Sequence, residues 1–297
     1  MKVLINRKIV EGPWGGGNNF VRALSEGLKS SGHEVTNRIE QGIDCFFVMD
    51  PRPNSDCPGL VDFLKVRNQF PKTKIIQRVN ECDARKNTEH LDSFLVQCSS
   101  VIDKTVFVSD WLSNYFARKG WVCQKNVSIH NGVDTEKFNT GSRKTESTIP
   151  RVVAHHWSNN IMKGFDVYDF LDYMASKDLI KFTYIGRHRN TFSNTECIDP
   201  CVGAELAKNL SFHDVYISGS RFDPGPNHIL EALAVGLPTY VHAEGGGAVE
   251  FAGSSHSFKN FSELENIILS SEYRANEYKP LSWQESISKY LVEIENI

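Results

Sequence analysis

The sequence predicts an α/β protein with two doubly wound domains, and three observations support this prediction. A length of 297 residues suits two domains of about 100–150 residues each. Short apolar runs alternate with segments of helical period along the chain, as they do in parallel sheets flanked by helices. One polar segment, NTGSRKTESTIP (residues 139–150), interrupts this alternation as a linker would. We therefore predict a first domain over 1–140, a second over 151–280, and a C-terminal helix over 281–297 that packs back toward the first.

The apolar runs of the first half predict strands at Val3–Asn6, Cys45–Met49, Lys74–Val79, Thr105–Val108 and Val127–His130. Between them, helical spacing predicts helices that include Asn18–Ser30, Leu60–Gln69 and Asp110–Lys119. The second half predicts strands near Val152–His155, Phe182–Ile185, Val215–Ile217 and Thr239–Val241, with helices near Phe165–Ala175, Ile229–Val235 and Phe261–Ser270. Ligands of parallel sheets bind at the carboxyl ends of the strands, so two facing sheets predict a site in a central cleft.

Composition narrows the classes of partner and compartment. The net charge is −3 and the pI about 6.4, which argues against a nucleic-acid partner. No run approaches the roughly 20 apolar residues that span a bilayer. The N-terminus reads as a buried strand rather than a signal peptide, and the seven cysteines are scattered and odd in number. We therefore expect a cytoplasmic protein, while nothing in the sequence indicates an oligomeric state.

The strongest functional pattern is RFDPGPNHILEALAVGLP, residues 221–238, which follows a predicted strand. An acid, Asp223, precedes a Pro-Gly-Pro turn, and a helix is predicted to begin near Asn227. The N-terminus of a helix presents backbone N–H groups and the positive end of a dipole, which suit a phosphate. Glu231 lies one turn further, where a carboxylate can accept hydrogen bonds from ribose hydroxyls. The alternative is an ordinary strand–loop–helix in which Asp223 is a cap and Glu231 is solvated.

Three further segments lie at the ends of predicted strands. HHWSNNIMKGFD (155–166) is a polar loop that ends in Lys163, and its ammonium group suits a diphosphate; the alternative is an exposed loop lysine. The run Gly15-Gly16-Gly17 would allow the backbone to approach a ligand closely; the alternative is a flexible turn. QRVNECDAR (77–85) is a dense polar cluster, placed either for an acceptor or in a solvated loop.

These segments, in this order, resemble retaining glycosyltransferases of family 4, which have the GT-B fold of two Rossmann-like domains. The family pattern is an acidic residue, seven residues and a Glu; Asp223 and Glu231 hold the two positions, with Asp where Glu is usual. The loop over 157–164 is similar to a subgroup with Trp-Ser-x-Asn-x-x-Lys-Gly, so that Lys163 matches the family lysine and Ser158 stands at the position of its arginine. Val106–Leu112 and Ile129–Phe138 match the segments with which the family closes its first domain.

The resemblance implies transfer of a hexose from a nucleotide-sugar donor to a glycan, lipid or other acceptor, with retention of configuration. It implies catalytic roles for Lys163 and Asp223. The implied donor-binding residues are Gly16, Gly17, Ser158, Lys163, Arg187, Gly225, Asn227, His228, Ile229 and Glu231. The implied acceptor-side residues are Arg78, Asn80, Asp83 and Asn131. No metal and no cofactor beyond the nucleotide-sugar co-substrate are expected, and the chain has no Asp-x-Asp triplet.

Other hypotheses stay open at this point. Ser158, Gln77 and Asp223 also fit a non-catalytic nucleotide-sugar-binding protein of the same fold. There are two further alternatives: a receptor that resembles periplasmic binding proteins, and another enzyme of the same fold, such as an epimerase or a phosphorylase. Aromatic and basic residues between Trp111 and Trp121 fit either peripheral membrane contact or a core helix with a solvated edge.

Overall fold

The computed structural model describes residues 1–10, 16–54, 56–139, 148–189 and 191–297. Gly15 of the glycine run and residues 140–147 of the polar segment lie outside these ranges. The chain forms two compact units. Unit 1 comprises Met1–Asp83, Thr88–Gly132 and Trp283–Ile297, and unit 2 comprises Ala84–Asn87 and Val133–Ser282. None of the helices within the described ranges has the length and apolar character needed to span a bilayer.

Unit 1 contains a six-stranded sheet in which all neighbouring strands are parallel. The strands are β1 (Lys2–Ile5), β2 (Glu34–Thr36), β3 (Cys45–Val48), β4 (Lys74–Val79), β5 (Lys104–Phe107) and β6 (Asn126–Ser128), in the order β2-β1-β3-β4-β5-β6. The helices of this part of the chain are α1 (Gly16–Ser30), α2 (Leu60–Gln69), α3 (Asp83–Lys86), α4 (Leu91–Cys98) and α5 (Asp110–Ala117). Strand β3, CFFV, is buried along its whole length, as expected for a central parallel strand covered on both faces.

Unit 2 contains a second six-stranded parallel sheet. Its strands are β7 (Arg151–His156), β8 (Lys181–Gly186), β9 (Glu196–Ile198), β10 (Val215–Ser218), β11 (Thr239–His242) and β12 (Ser257–Phe258), in the order β12-β11-β10-β7-β8-β9. Its helices are α6 (Phe165–Ser176), α7 (Gly203–Ser211), α8 (Asn227–Val235), α9 (Gly247–Ala252) and α10 (Phe261–Ser270). The chain winds outward from β7 in one direction and from β10 in the other, so the topological switch point lies between these two strands.

The last helix, α11 (Trp283–Glu295), belongs to unit 1, where it packs against α1. Ile287, Tyr290 and Ile294 of α11 join Phe20 of α1 in one hydrophobic cluster. The two helices approach closely at Gly27, where an added Cβ would lie 2.5 Å from Cγ2 of Ile287. An apolar stripe at helical spacing on α11 thus completes the core of the first sheet.

The prediction of two doubly wound α/β units is confirmed, and most predicted elements agree with the structure to within a few residues. The short strands β2, β9 and β12 were not predicted, because segments of two or three residues, most of them exposed or half-exposed, make no apolar run. The units divide between Gly132 and Val133, before the polar segment that suggested a linker. The physical reason is that Val133 and Phe138 are buried in a core cluster of unit 2, and the N–H of Val133 donates to the carbonyl of Leu281.

Candidate functional site

The candidate site lies in unit 2, at the carboxyl ends of β7 and β10. These strands are neighbours at the topological switch point, where doubly wound sheets bind their ligands. A small pocket is present there. Its lining residues are Arg85, Ser158, Asn160, Met162, Lys163, Arg221 and Asp223. Three of the seven are cationic and one is anionic, so the lining favours an anionic ligand.

Lys163 and Asp223 form a buried ion pair in this pocket. The Lys163 ammonium donates to Oδ2 of Asp223 at 2.6 Å, and the side chains are only 11% and 5% exposed. Arg85 donates from Nε to the other carboxylate oxygen, Oδ1, at 3.4 Å. Burial alone would raise the pKa of Asp223, but the charges of Lys163 and Arg85 hold it well below its usual value. Asp223 is therefore ionised at neutral pH.

The loop that carries Lys163 is shaped by its own polar side chains. The backbone N–H of Asn160 donates to Oγ of Ser158 at 3.2 Å, and Oδ1 of Asn160 accepts from the N–H of Met162 at 2.8 Å. Such local bonds favour turns over regular structure. Ser158, predicted to bind donor, thus also organises the turn that presents Lys163.

Gly164 allows this loop to lie against the end of β10. Its backbone is left-handed, with φ 77° and ψ 50°, and an added Cβ would lie 2.0 Å from the carbonyl oxygen of Gly219. The N–H of Arg221 donates to the carbonyl of Met162 at 2.8 Å and ties the two loops together. Glycine at this position is therefore required for Lys163 to reach Asp223.

A second glycine segment, residues 245–247, holds the backbone of Asp223. The N–H of Asp223 donates to the carbonyl of Gly245 at 3.1 Å, and the N–H of Gly247 donates to the carbonyl of Asp223 at 2.9 Å. An added Cβ on Gly247 would lie 2.3 Å from the carbonyl oxygen of Pro224. The glycines over 245–247 thus allow close backbone packing against the loop of Asp223.

Glu231 is half-buried on α8 and pairs with a histidine. Its Oε2 lies 2.8 Å from Nε2 of His155, the fifth residue of β7, and the Glu231 side chain remains 25% exposed. The carboxylate is therefore oriented by the protein and still reachable by a ligand. The α8 helix begins at Asn227 after Gly225 and Pro226, as the sequence predicted.

The structure places two other predicted donor-binding residues in the interior. Ile229 is fully buried in the core, and its N–H donates to the carbonyl of Pro226 at 3.1 Å. His228 is buried, with Nε2 3.1 Å from Oγ of Ser218. Their side chains are therefore buried in unit 2 and are not among the residues that line the pocket. Arg187 is exposed and its guanidinium carbon lies 4.8 Å from the ring centroid of Trp157, a cation–π contact.

The buried histidines predict a pH-dependent stability. The rings of His156 and His228 lie 4.5 Å apart. Burial, first of all, lowers the pKa of each well below its usual value, and Lys163 lowers both further. In the unfolded chain a histidine has a pKa of about 6.5, so below that pH the unfolded state binds more protons than the folded state. We expect the free energy of unfolding to fall as pH drops from 7 to 5.5, by up to about 1.4 kcal/mol per pH unit for each histidine.

Urea unfolding at several pH values between 5.5 and 8 measures this slope. The control is His228→Asn, which keeps a polar group near Ser218 and removes one titrating ring. Its slope should be smaller than that of the unchanged chain. Equal slopes for both proteins would contradict the buried, neutral state of His228.

The predicted acceptor-side residues are in unit 1. Arg78 is buried; Nη2 donates to Oδ1 of Asn131 at 2.7 Å and Nε to the hydroxyl of Tyr290 at 3.2 Å. Its guanidinium carbon lies 4.1 Å from the ring centroid of Phe20, and Nη1 has no hydrogen-bond partner. Burial lowers the pKa of Arg78. The structure thus brings Arg78 and Asn131 together beneath α1 and α11.

The other acceptor-side and glycine positions have local roles in the structure. Asp83 accepts from the N–H groups of Leu91 and Asp92 and from the hydroxyl of Thr88, so it organises the start of α4. Asn80 is half-buried just after β4. Gly16 and Gly17 begin α1, and an added Cβ on Gly17 would lie 3.1 Å from Nη1 of Arg7.

Sequence reasoning gave no site role to Arg85 or His155. Both lay inside quoted polar segments, but their partners, Asp223 and Glu231, are far away in sequence. Among the described residues, no group of three or more His, Cys, Asp or Glu side chains is arranged to hold a metal ion.

Several solved structures have a similar architecture over nearly the whole of this chain. HepE from Anabaena, solved in complex with UDP-glucose, is 12% identical with a TM-score of 0.71 over 99% of this chain and 100% of its own. Sucrose-phosphate synthase from Thermosynechococcus elongatus is 13% identical, with a TM-score of 0.61 over 99% and 94%. WaaG, a glycosyltransferase involved in lipopolysaccharide biosynthesis, is 10% identical, with a TM-score of 0.60 over 99% and 90%.

No protein-family model matches the chain, and no curated protein sequence matches it. Likeness at this level of identity establishes the architecture. The chain has the GT-B fold of these glycosyltransferases.

Proposed function

We propose that this chain is a glycosyltransferase of the family 4 type that transfers a hexose from a nucleotide-sugar donor to a glycan, lipid or other acceptor, with retention of configuration. One observation carries the proposal. The switch-point pocket of unit 2 combines a predominantly cationic lining with the buried Lys163–Asp223 pair. A diphosphate is the anion that this pocket and the adjacent start of α8 suit best.

The donor is bound through its diphosphate and its ribose. Lys163 directs an ammonium group into the pocket, and the loop contacts of Ser158 and Asn160 fix its position. Glu231 presents a carboxylate one turn into α8, oriented by His155 and partly exposed. Carboxylates in such positions accept hydrogen bonds from ribose hydroxyls. HepE, which has the same fold, was solved with UDP-glucose.

Bond cleavage places negative charge on the leaving nucleoside diphosphate. Fixed cations in a partly buried pocket stabilise that charge more strongly than water does. Lys163 is fixed before the donor arrives, because Asp223 holds its ammonium at 2.6 Å. We assign this charge stabilisation to Lys163 and neighbouring backbone N–H groups, without a metal ion. The ion pair with Asp223 holds the Lys163 ammonium group in place. Asp223 itself would lie close to the hexose of the donor.

A non-catalytic nucleotide-sugar-binding protein is the second candidate. It is favoured by the engagement of both Asp223 carboxylate oxygens, Oδ1 by Arg85 and Oδ2 by Lys163. Such a carboxylate has fewer lone pairs left to offer a sugar hydroxyl. Binding of a donor without turnover in the presence of candidate acceptors would support this alternative.

The test is a thermal-shift and turnover screen with UDP-, GDP- and ADP-hexoses in the presence of a chelator. We expect one nucleotide to raise the melting temperature, by a stabilisation of about 2.7 kcal/mol at 100 times Kd, and the same donor to be hydrolysed slowly. In Glu231→Ala the donor affinity should fall about tenfold, the effect of one lost hydrogen bond to a charged group. Glu205→Ala, which removes an exposed carboxylate from α7, is the matched control. No shift with any donor would refute the proposal.

A further inference from the structure

We propose that unit 1 binds a compact oxyanion at Arg78, and that this oxyanion is the carboxylate or phosphate of an acidic acceptor. The inference rests on the proposed function and names the class of its acceptor. Arg78 is the fifth residue of β4 and Asn131 follows β6, so both lie at the carboxyl ends of strands in the first sheet. Ligands of doubly wound sheets bind at that edge.

The Arg78 side chain is a buried cation whose hydrogen bonds, within the described ranges, go only to neutral acceptors. The residue is 2% exposed. It donates to the hydroxyl of Tyr290 and to the amide oxygen of Asn131, while its third nitrogen, Nη1, is buried with no hydrogen-bond partner. Burial of a charge without a counter-charge is costly. A bound anion is the partner that would satisfy both the charge and Nη1.

The guanidinium is held in a fixed plane. Nε is bonded to Tyr290 at 3.2 Å and Nη2 to Asn131 at 2.7 Å, and the central carbon lies 4.1 Å from the ring centroid of Phe20. Two edges and one face of the group are therefore engaged before any ligand arrives. Nη1 has a defined position, so an anion that binds there has little ordering of Arg78 to offset.

Helix α1 and Arg7 add positive potential near Arg78. The helix has 15 residues and no acidic residue in its first turn, so the positive end of its dipole is not neutralised there. Phe20 lies in the second turn and its side chain leans toward the first, which brings the stacked guanidinium of Arg78 near that end. Nη1 of Arg7 lies beside the same turn, 3.1 Å from an added Cβ on Gly17.

Charge balance at this edge of the sheet favours an anion. Burial, first of all, lowers the pKa of Arg78, and the positive charge of Arg7 lowers it further, so the two guanidinium groups repel each other. Asp50 is near enough for the charge of Arg7 to act on it. Its carboxylate, however, already accepts from Nε and Nη2 of Arg52, at 2.9 and 2.7 Å. An oxyanion bound at Arg78 would relieve the repulsion.

The proposed function leaves the acceptor as the source of this oxyanion. The donor diphosphate is assigned to the pocket of unit 2 that Lys163 lines, so an acid that unit 1 recognises belongs to the other substrate. One buried nitrogen on Arg78 suits a single small group, such as the carboxylate of a uronic acid or a terminal phosphate. Guanidinium groups match the oxygens of both.

The experiment follows the Nε–H resonance of Arg78 in nitrogen–proton correlation spectra, where it is identified by its loss in Arg78→Lys. The probes are glucuronate and glycerol phosphate, with glucose and glycerol as their neutral counterparts, inorganic phosphate as a free anion, and UDP. Ionic strength is held constant with sodium chloride. We expect saturable shifts with the two organic acids, and none with the neutral compounds or with UDP.

Two variants separate a ligand-binding role of Arg78 from a structural one. In Arg78→Met the affinity for the organic acids, measured by calorimetry, should fall at least about tenfold, while the urea midpoint should stay equal or rise, because an uncompensated buried charge is removed. Arg7→Met changes an exposed side chain and should lower the same affinity about threefold. Arg38→Met, which changes another exposed arginine of unit 1, is the matched control.

Several results would overturn the inference. Equal shifts with glucose and glucuronate would show that the acid group is not recognised. Saturation by inorganic phosphate or UDP, with none by the organic acids, would show that the anion is not part of an acceptor. An Arg78→Met variant that loses stability and keeps its affinity would leave Arg78 a structural residue. If the acids bind at Arg78 but no nucleotide-sugar binds, the proposed function fails while the anion site stands.

Discussion

Lys163→Met is expected to lower the free energy of unfolding by about 3 kcal/mol, because removal of one partner leaves a buried charge uncompensated. Asp223 is 5% exposed, and without Lys163 its remaining cationic contact is Arg85 at 3.4 Å. Transfer should fall at least about 100-fold, because the fixed cation beside the leaving diphosphate is lost. Urea unfolding at pH 7.5 and initial rates with the identified donor measure the two effects separately.

The control for this prediction is a double-mutant cycle with Asp223→Asn. Lys163→Met/Asp223→Asn removes both charges, so its stability should lie closer to the unchanged chain than that of Lys163→Met does. Its transfer rate should remain as low as that of Lys163→Met. If Lys163→Met unfolds at the same urea concentration as the unchanged chain, the ammonium group is not buried against Asp223, and the site described here is wrong.

The sequence predicted the parts of the fold that depend on local pattern. Buried parallel strands such as CFFV in β3 form continuous apolar runs, and helix α11 shows its apolar stripe at helical spacing. Each of these two patterns lies within one continuous segment, so it can be recognised without knowing which other segments pack against it. The short strands β2 and β9 carry no such signal, because their three exposed or half-exposed residues make no apolar run.

The site was predicted in part, for a related physical reason. Lys163 and Asp223 were identified because each lies in a segment that resembles a known pattern. Their direct contact across 60 positions depends on the order of β7 and β10 in the sheet, which apolar periodicity does not specify. His156 was read as part of a polar loop, but it is the last residue of β7, one position beyond the predicted strand Val152–His155. Both histidine side chains are buried and have polar partners: Nε2 of His155 lies 2.8 Å from Oε2 of Glu231 on α8, and Nε2 of His156 contacts the hydroxyl of Tyr168 on α6.

Gly164→Ala is expected to be as damaging as any substitution at the site. A side chain in the left-handed region costs about 1–2 kcal/mol, and here the added Cβ would also meet the carbonyl oxygen of Gly219 at 2.0 Å. Because that oxygen belongs to the backbone, one of the two loops must move. We expect a total loss of stability of about 4 kcal/mol, measured by urea unfolding. Donor affinity should also fall, because movement of this loop displaces Lys163.

Gly236→Ala is the matched control for this prediction. Gly236 has a similar left-handed backbone, with φ 87°, at the end of α8, but no atom lies within 4 Å of an added Cβ. Its substitution should therefore cause only the backbone strain of about 1–2 kcal/mol and leave donor affinity unchanged. The difference between the two variants isolates the contact between Gly164 and Gly219 from backbone strain. Equal losses in both would mean that the loop of Lys163 does not depend on this close approach, and that another feature fixes the lysine beside Asp223.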